Sequence, residues 1–215
     1  MSYETALTLK SLREATHRCA RGVRYKESVA EYYLHSLTRN VRLKSEIESG
    51  RYKISPYTEF WVTSPKKRLV SATRFRDRVW QKSMCNNGVR KEMTKDFIYD
   101  NGACQENKGT DFAIDRIICF LQKFYRKHKR EGYYLHLDVK GYFPNTPHTV
   151  SKKAISDRVT DERYVEHLHM IIDSFRDRRD QEEINADPFA KEAQHSARRY
   201  RSSRSWLCRL ISIMP

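Results

Sequence analysis

Apolar residues at helical spacing predict helices in the first 50 residues and in the segment that follows residue 73. In residues 1–50 the positions that carry this pattern are Val29, Tyr33, Leu37 and Val41. Ser28 is a candidate N-cap for this helix, and Gly50 follows its last turn. Residues 74–86 return to a helical pattern, which the Asn87-Gly88 pair is expected to stop.

The clearest helical pattern runs from Thr110 to Arg130, with Thr110 as the candidate N-cap and Gly132 beyond the end. The apolar face of this predicted helix is formed by Ile114, Ile117, Ile118, Leu121, Phe124 and Tyr125. A further helix is predicted where apolar residues recur at three- and four-residue steps, at Val165, Leu168, Ile172 and Phe175.

Two segments predict β-structure instead. Residues 51–72 are rich in β-branched and aromatic residues and have no helical period, which indicates two or three short strands. Between Tyr133 and Val139 apolar and polar residues alternate, which predicts a strand with Asp138 near its end. Helices together with a few strands indicate an α+β fold. Residues 176–215 have many charges of both signs and no clear period, so they are predicted to form an irregular, disordered tail.

The net charge of the chain is informative about its binding partners. The 215 residues include 42 Lys and Arg against 27 Asp and Glu, a formal charge of +15. An excess of this size typically serves a polyanion such as nucleic acid, although a merely basic globular protein has the same composition. No apolar run reaches the ~18 residues of a spanning helix, so we expect a soluble, cytoplasmic protein without a membrane partner.

The cysteines give little evidence of special chemistry. There are five, with long irregular gaps and no C-x-x-C pair, a pattern that supports neither a zinc site nor a disulfide framework. Cys119 lies in the apolar run IICFL, where we expect a buried free thiol.

A basic segment follows the predicted strands of residues 51–72 and overlaps their end. Its cations are Lys66, Lys67, Arg68, Arg74, Arg76, Arg78 and Lys82. Asp77 is the single acid among them, and Phe75, Val79 and Trp80 alternate with the charges. Such a segment could bind a nucleotide triphosphate or a nucleic-acid backbone. The plainer interpretation is a solvated helix face.

Asp138 stands in the sequence LDVKGYFPNT, where a strand would hold a carboxylate at a surface. The alternative is that Asp138 only ends a strand and caps the following turn. Three stretches in this order, PKKR to RFRDRVWQ, GACQENKGTDFAIDRI and YLHLDVKGYFPNTPH, resemble the fingers and early palm motifs of bacterial reverse transcriptases. The resemblance covers roughly residues 20–175, and its specificity comes from the three stretches occurring in order and ending in D-V-K-G-Y-F.

The resemblance implies a site for metal-dependent nucleotide addition. Asp138 matches the palm aspartate that binds Mg²⁺ (with Mn²⁺ as the alternative ion), and Val139 would offer its backbone carbonyl to the same ion. Phe143 matches the side chain beneath the sugar that excludes a 2′-hydroxyl. Arg68 and Arg76, with Lys67 and Arg74 beside them, match the cations that grip the incoming triphosphate.

The implied partners are an RNA template, a DNA primer and deoxynucleoside triphosphates. We assign Lys66, Arg78 and Lys82 to nucleic-acid binding, and Gly109 to close approach of the backbone near the template base. The predicted regions are an N-terminal helical region at 1–50, a fingers-like region at 51–132, a partial palm at 133–175 and the tail at 176–215.

The sequence departs from the family in its carboxylates. A polymerase of this type needs further acids from a Tyr-x-Asp-Asp hairpin, and no Asp-Asp pair occurs in these 215 residues. We therefore expect a truncated or frame-shifted chain that is inactive alone, with a genuine short paralogue as the alternative. The competing function is a non-catalytic basic protein that binds RNA or DNA through the fingers surface.

Overall fold

A computed structural model describes residues 3–64, 68–103, 105–129, 131–138 and 146–175, with Arg68 described in its backbone alone. The helices are α1 (Tyr3–Ala6), α2 (Leu9–Ala20), α3 (Glu27–Leu34), α4 (Ser36–Glu48), α5 (Phe75–Met84), α6 (Arg90–Thr94), α7 (Thr110–His128), α8 (His148–Ser156) and α9 (Glu162–Ser174). The strands are β1 (Thr58–Val62) and β2 (Arg68–Ala72), and they pair antiparallel with Val62 opposite Arg68. The predicted mixture of helices with a small amount of β-structure is confirmed.

The described residues form two compact units, one of residues 3–92 with 159–174 and the other of residues 93–158 with 175. In the first unit α5 is the central element, with seven of its ten residues buried. Trp80 of α5 is fully buried and lies edge-on to Tyr3, with 5.7 Å between the ring centroids. The core of this unit also includes Leu12 from α2, Leu43 from α4 and Leu168 from α9. A helix buried on most of its surface holds its remaining exposed side chains in fixed directions.

The N-terminal and central helices differ from the prediction at their ends. Lys26 occupies the N-cap of α3, so Ser28 lies inside this helix, and α4 follows as a separate helix. Gly50 does lie just beyond α4, with φ of 66°, the left-handed conformation that favours glycine at a helix end. Asn87-Gly88 does not stop the chain after α5. Instead the pair lies in a π-helical turn, Cys85–Val89, that continues into α6.

The predicted helix from Thr110 is present as α7, but Gly109 occupies its N-cap, and Thr110 is the first helical residue. None of the described α7 residues is buried, and the predicted apolar face is 40–67% exposed. Cys119 is accordingly a free but only half-buried thiol, not the fully buried one expected. Gly132 comes so close to α7 that a Cβ placed on it would lie 2.5 Å from the ring of Phe124.

The predicted strand at 133–139 is wrong over the residues that the structure describes. Residues 131–138 have no regular secondary structure, and Tyr133 and Leu137 are 107% and 71% exposed. An alternating pattern becomes a strand only when a neighbouring strand satisfies its N–H and C=O groups, and the two described strands pair with each other. The predicted tail at 176–215 lies outside the described residues.

Candidate nucleic-acid interface

The described part of the basic segment lies on β2 and along α5. Arg68 pairs through its backbone with Val62 at one end of the hairpin, while Lys66 and Lys67 lie outside the described residues. Arg74 occupies the N-cap of α5 in an extended conformation, and its side chain is exposed. Because α5 is anchored in the core, the backbone of Arg74 is held at the start of a helix, where the positive end of the helix dipole adds to the attraction of its guanidinium for anions.

Arg76 is bound to other parts of the first unit. Its guanidinium donates to the Glu46 carboxylate at 2.7 Å and to the Lys53 carbonyl at 2.9 Å. The same group lies 5.4 Å from the ring centroid of Tyr52. These contacts connect α5 to α4 and to the segment before β1. The predicted role of Arg76 in gripping a triphosphate would compete with these contacts.

Asp77, the single acid of the segment, is fully buried, so its carboxylate points into the core and not toward solvent. The Tyr52 hydroxyl donates to Oδ1 of Asp77 at 3.0 Å, and the Ser55 amide donates to Oδ2 at 3.0 Å. Burial raises the pKa of Tyr52, and the adjacent Asp77 charge raises it further. Asp77 is therefore an anchor for the chain that leads into β1.

Arg78 and Lys82, assigned to nucleic-acid binding, are half-buried beside α2. One guanidinium nitrogen of Arg78 donates to the Thr73 carbonyl at 3.3 Å. Both cations lie near Cys19 of α2, where burial raises the pKa of the thiol to about 11 and the two positive charges oppose this rise. Cys19 is thus a thiol at neutral pH and a poor nucleophile.

The residues assigned to the metal and template sites belong to the second unit or lie outside the description. Asp138 is exposed on the segment without regular structure, and Val139 and Phe143 lie outside the described residues. Gly109 has φ of −177°, an extended conformation that any residue adopts, and a Cβ there would meet nothing within 4 Å. Gly102 packs against Gly109, since a Cβ on Gly102 would lie 3.2 Å from the Gly109 carbonyl oxygen.

Asp138 is the part of the proposed magnesium site that the structure describes, since Val139 lies outside the described residues. Mg²⁺ prefers several oxygen ligands, and two-metal chemistry needs more than one carboxylate. Asp138 is the one carboxylate that the resemblance assigns to this site. Within the described part of the chain, no group of three His, Cys, Asp or Glu residues is arranged to hold a metal ion.

A second cationic site, which the sequence patterns did not predict, lies at the end of α2. Its lining residues are His17, Arg18, Arg21, Gly22, Arg24 and Tyr25. They surround an open cavity of about 620 Å³, within the range of small-ligand sites. The available signal was the spacing of Arg18, Arg21 and Arg24, one arginine every three residues across a helix end. This spacing becomes informative only when the end of α2 is known.

No protein-family model and no curated protein matches the chain. Among the helices that the structure describes, none has the length and apolar character to cross a membrane.

Proposed function

We propose that this chain is the fingers and the first part of the palm of a reverse-transcriptase-like RNA-directed DNA polymerase. The observation that carries this proposal is the order and spacing of the three motifs, which end in the D-V-K-G-Y-F run at Asp138. In the complete enzyme the partners are an RNA template, a DNA primer, deoxynucleoside triphosphates and Mg²⁺. Alone, the 215-residue chain adds no nucleotide because it lacks the Asp-Asp pair that completes the metal site.

The arrangement of the basic segment supports binding of nucleic acid. Of its described cations, Arg68 lies on β2, Arg74 lies at the N-cap of α5, and Arg76, Arg78 and Lys82 lie on α5, a helix that is packed into the core on most of its surface. Fixed cations bind phosphates with a smaller loss of side-chain entropy than cations on a mobile loop. The net charge of +15 acts in the same direction by attracting a polyanion over a distance of about a Debye length.

The second candidate function is a non-catalytic protein that binds RNA or DNA through the same surface. The contacts of Arg76 favour it, because they already occupy one of the three arginines assigned to the incoming triphosphate. The two functions differ in whether the chain binds a deoxynucleoside triphosphate.

Fluorescence anisotropy with a labelled DNA primer on an RNA template tests the shared part of both functions. We expect binding that weakens steeply between about 50 and 200 mM salt. Replacing Lys66, Lys67 and Arg68 with alanine should reduce the affinity and the salt dependence. The matched control removes three cations from α4, Arg39, Arg42 and Lys44, which pair with Glu31, Glu46 and Glu48 and should matter little. Equal losses in both variants would refute a specific basic interface.

Primer extension and nucleotide binding separate the two functions. We expect no extension product from the purified chain, and a product that disappears in Asp138→Asn would overturn the proposed inactivity. Titration with a deoxynucleoside triphosphate and Mg²⁺ should show binding that Arg74→Ala weakens. A chain that binds the primer–template but no triphosphate is the non-catalytic protein.

A further inference from the structure

The cavity at the end of α2 is lined by cations without acidic neighbours. Four of its six lining residues are arginine or histidine, and none is Asp or Glu. Within the described residues, no carboxylate lies in ion-pair distance of Arg18, Arg21 or Arg24. This differs from other exposed arginines of the same unit, since Arg42 pairs with Glu46 and Arg163 with Glu4. The cavity therefore concentrates positive charge that the protein does not neutralise.

Aromatic contacts fix the positions of two lining residues. The Arg24 guanidinium lies 4.4 Å from the ring centroid of Tyr33, and the Tyr33 hydroxyl is 2.9 Å from Nδ1 of His17. The turn between them passes through Gly22, whose φ of 77° is a conformation that other residues rarely adopt. These contacts and the turn hold the chain around the cavity in a defined conformation. Long side chains such as those that line the cavity would otherwise adopt many conformations.

Tyr25 adds a different kind of surface beside the arginines. Its side chain is 81% exposed, which is unusual for a large aromatic residue next to a cavity. Exposed aromatic rings beside cations are the arrangement with which proteins bind single strands, because bases stack on the ring and phosphates bind the cations. An inorganic anion has no flat base to stack on such a ring, so the ring favours a ligand that carries bases.

We propose that this cavity binds single-stranded nucleic acid, with a backbone phosphate held by Arg18, Arg21 and Arg24 and the adjacent base stacked on Tyr25. This proposal rests on the proposed function because it assumes a nucleic-acid partner. It adds a second nucleic-acid contact, apart from the Lys66 to Lys82 segment. The negative end of the α2 dipole opposes an anion here. It amounts to about half an elementary charge, which the three full positive charges outweigh.

The binding experiment uses the full chain and a labelled uridine oligonucleotide of about 12 residues. Changing Arg18, Arg21 and Arg24 together to alanine should reduce its affinity more than tenfold and lower the slope of log affinity against log salt by about 0.7 for each lost phosphate contact. The α4 variant that replaces Arg39, Arg42 and Lys44 removes the same number of charges and should retain most of the affinity. Circular dichroism of both variants checks that they fold.

Substitutions of Tyr25 test the stacking contact without changing the net charge. Tyr25→Ala should weaken oligonucleotide binding about tenfold, and Tyr25→Phe should bind as the native chain does because the ring is retained. Inorganic phosphate, added as a competitor, should displace the oligonucleotide only at far higher concentration than an unlabelled oligonucleotide. Competition at similar concentrations would identify a simple phosphate site and overturn the proposal.

The outcomes also separate this site from the proposed function. If the native chain binds primer–template and the oligonucleotide, but neither the arginine variant nor Tyr25→Ala is weakened, the cavity proposal fails and the proposed function stands. If the native chain binds no nucleic acid, both fail. Binding to anionic lipid vesicles that the arginine variant loses, with oligonucleotide binding unchanged, would assign the cavity to a membrane surface and overturn the proposal.

Discussion

Replacing Asp77 with alanine should destabilise the first unit strongly. The carboxylate is fully buried and accepts one hydrogen bond from the Tyr52 hydroxyl and one from the Ser55 amide, both at 3.0 Å. Its nearest charge partner is Arg76, whose Nε lies 3.6 Å from Oδ1. Breaking such a buried arrangement by removing one partner typically costs about 3–5 kcal/mol, since the remaining donors lose their acceptor. This is a large share of the roughly 5–15 kcal/mol that stabilises a typical domain.

Urea denaturation followed by tryptophan fluorescence, to which the fully buried Trp80 contributes, measures this effect. With a slope of about 2 kcal/mol per M, a loss of 4 kcal/mol lowers the midpoint by about 2 M. Tyr52→Phe removes only one donor and should cost about 1–2 kcal/mol. Because both changes remove the same hydrogen bond, the double variant should lose less than the sum of the two. The exposed Glu31 gives a control in the same unit, since Glu31→Ala breaks a surface pair with Arg39.

A midpoint for Asp77→Ala within about 0.5 M of the native value would refute this reasoning. It would mean that Asp77 contributes little to folding and that its carboxylate is retained for another purpose. In that case Asp77→Ala should instead change nucleic-acid binding in the anisotropy experiment. The stability and binding measurements together therefore distinguish an anchor from a functional acid.

Three further predictions concern the same unit. Nδ1 of His167 accepts a hydrogen bond from Trp80 Nε1 at 3.3 Å, and Nε2 donates to the Tyr3 hydroxyl at 2.9 Å. Because burial lowers the pKa of His167, the free energy of unfolding should be steady above about pH 6.5 and should fall as the pH drops below that value. Urea titrations of His167→Gln should no longer show this pH dependence. Leu168→Ala should cost about 2–5 kcal/mol because Leu168 is fully buried, whereas the exposed Leu37→Ala should leave the urea midpoint almost unchanged. Gly22→Ala should lower the free energy of unfolding by about 1–2 kcal/mol because of the positive φ alone. By disturbing the turn, it should also weaken oligonucleotide binding. An unchanged thermal midpoint would contradict the stability prediction.

The apolar spacing predicted much of the secondary structure because local packing follows it. The helix from Thr110 and the strands of residues 51–72 were found where the pattern placed them. The strand at Asp138 was wrong because alternation describes a strand that already has a neighbour, and a single segment cannot supply one. Asn87 also differs from the expected helix stop, since its side-chain amide donates to the Ser83 carbonyl at 2.8 Å within the continuing helix.

The candidate site shows a second limit of sequence patterns. Seven cations close together in the sequence predicted a single basic surface, but the partners of Arg76 come from distant segments that no local pattern reveals. Arg76 is 30 positions from Glu46 and lies in contact with it. The roles that the resemblance assigns to Asp138, Lys67, Arg68, Arg74 and Phe143 remain predictions, and the triphosphate titration and primer extension test them.

The π-helical turn at Cys85–Val89 has a consequence for comparing this chain with others. A π-turn accommodates one residue more than an α-helical turn, and each residue in a helix rotates the direction of its side chain by about 100°. A relative that lacks one residue between positions 85 and 89 could therefore keep an unbroken α-helix at the same place. Alignments should allow a single-residue gap there, and buried positions beyond it, such as Met93, should be matched only after that gap is placed.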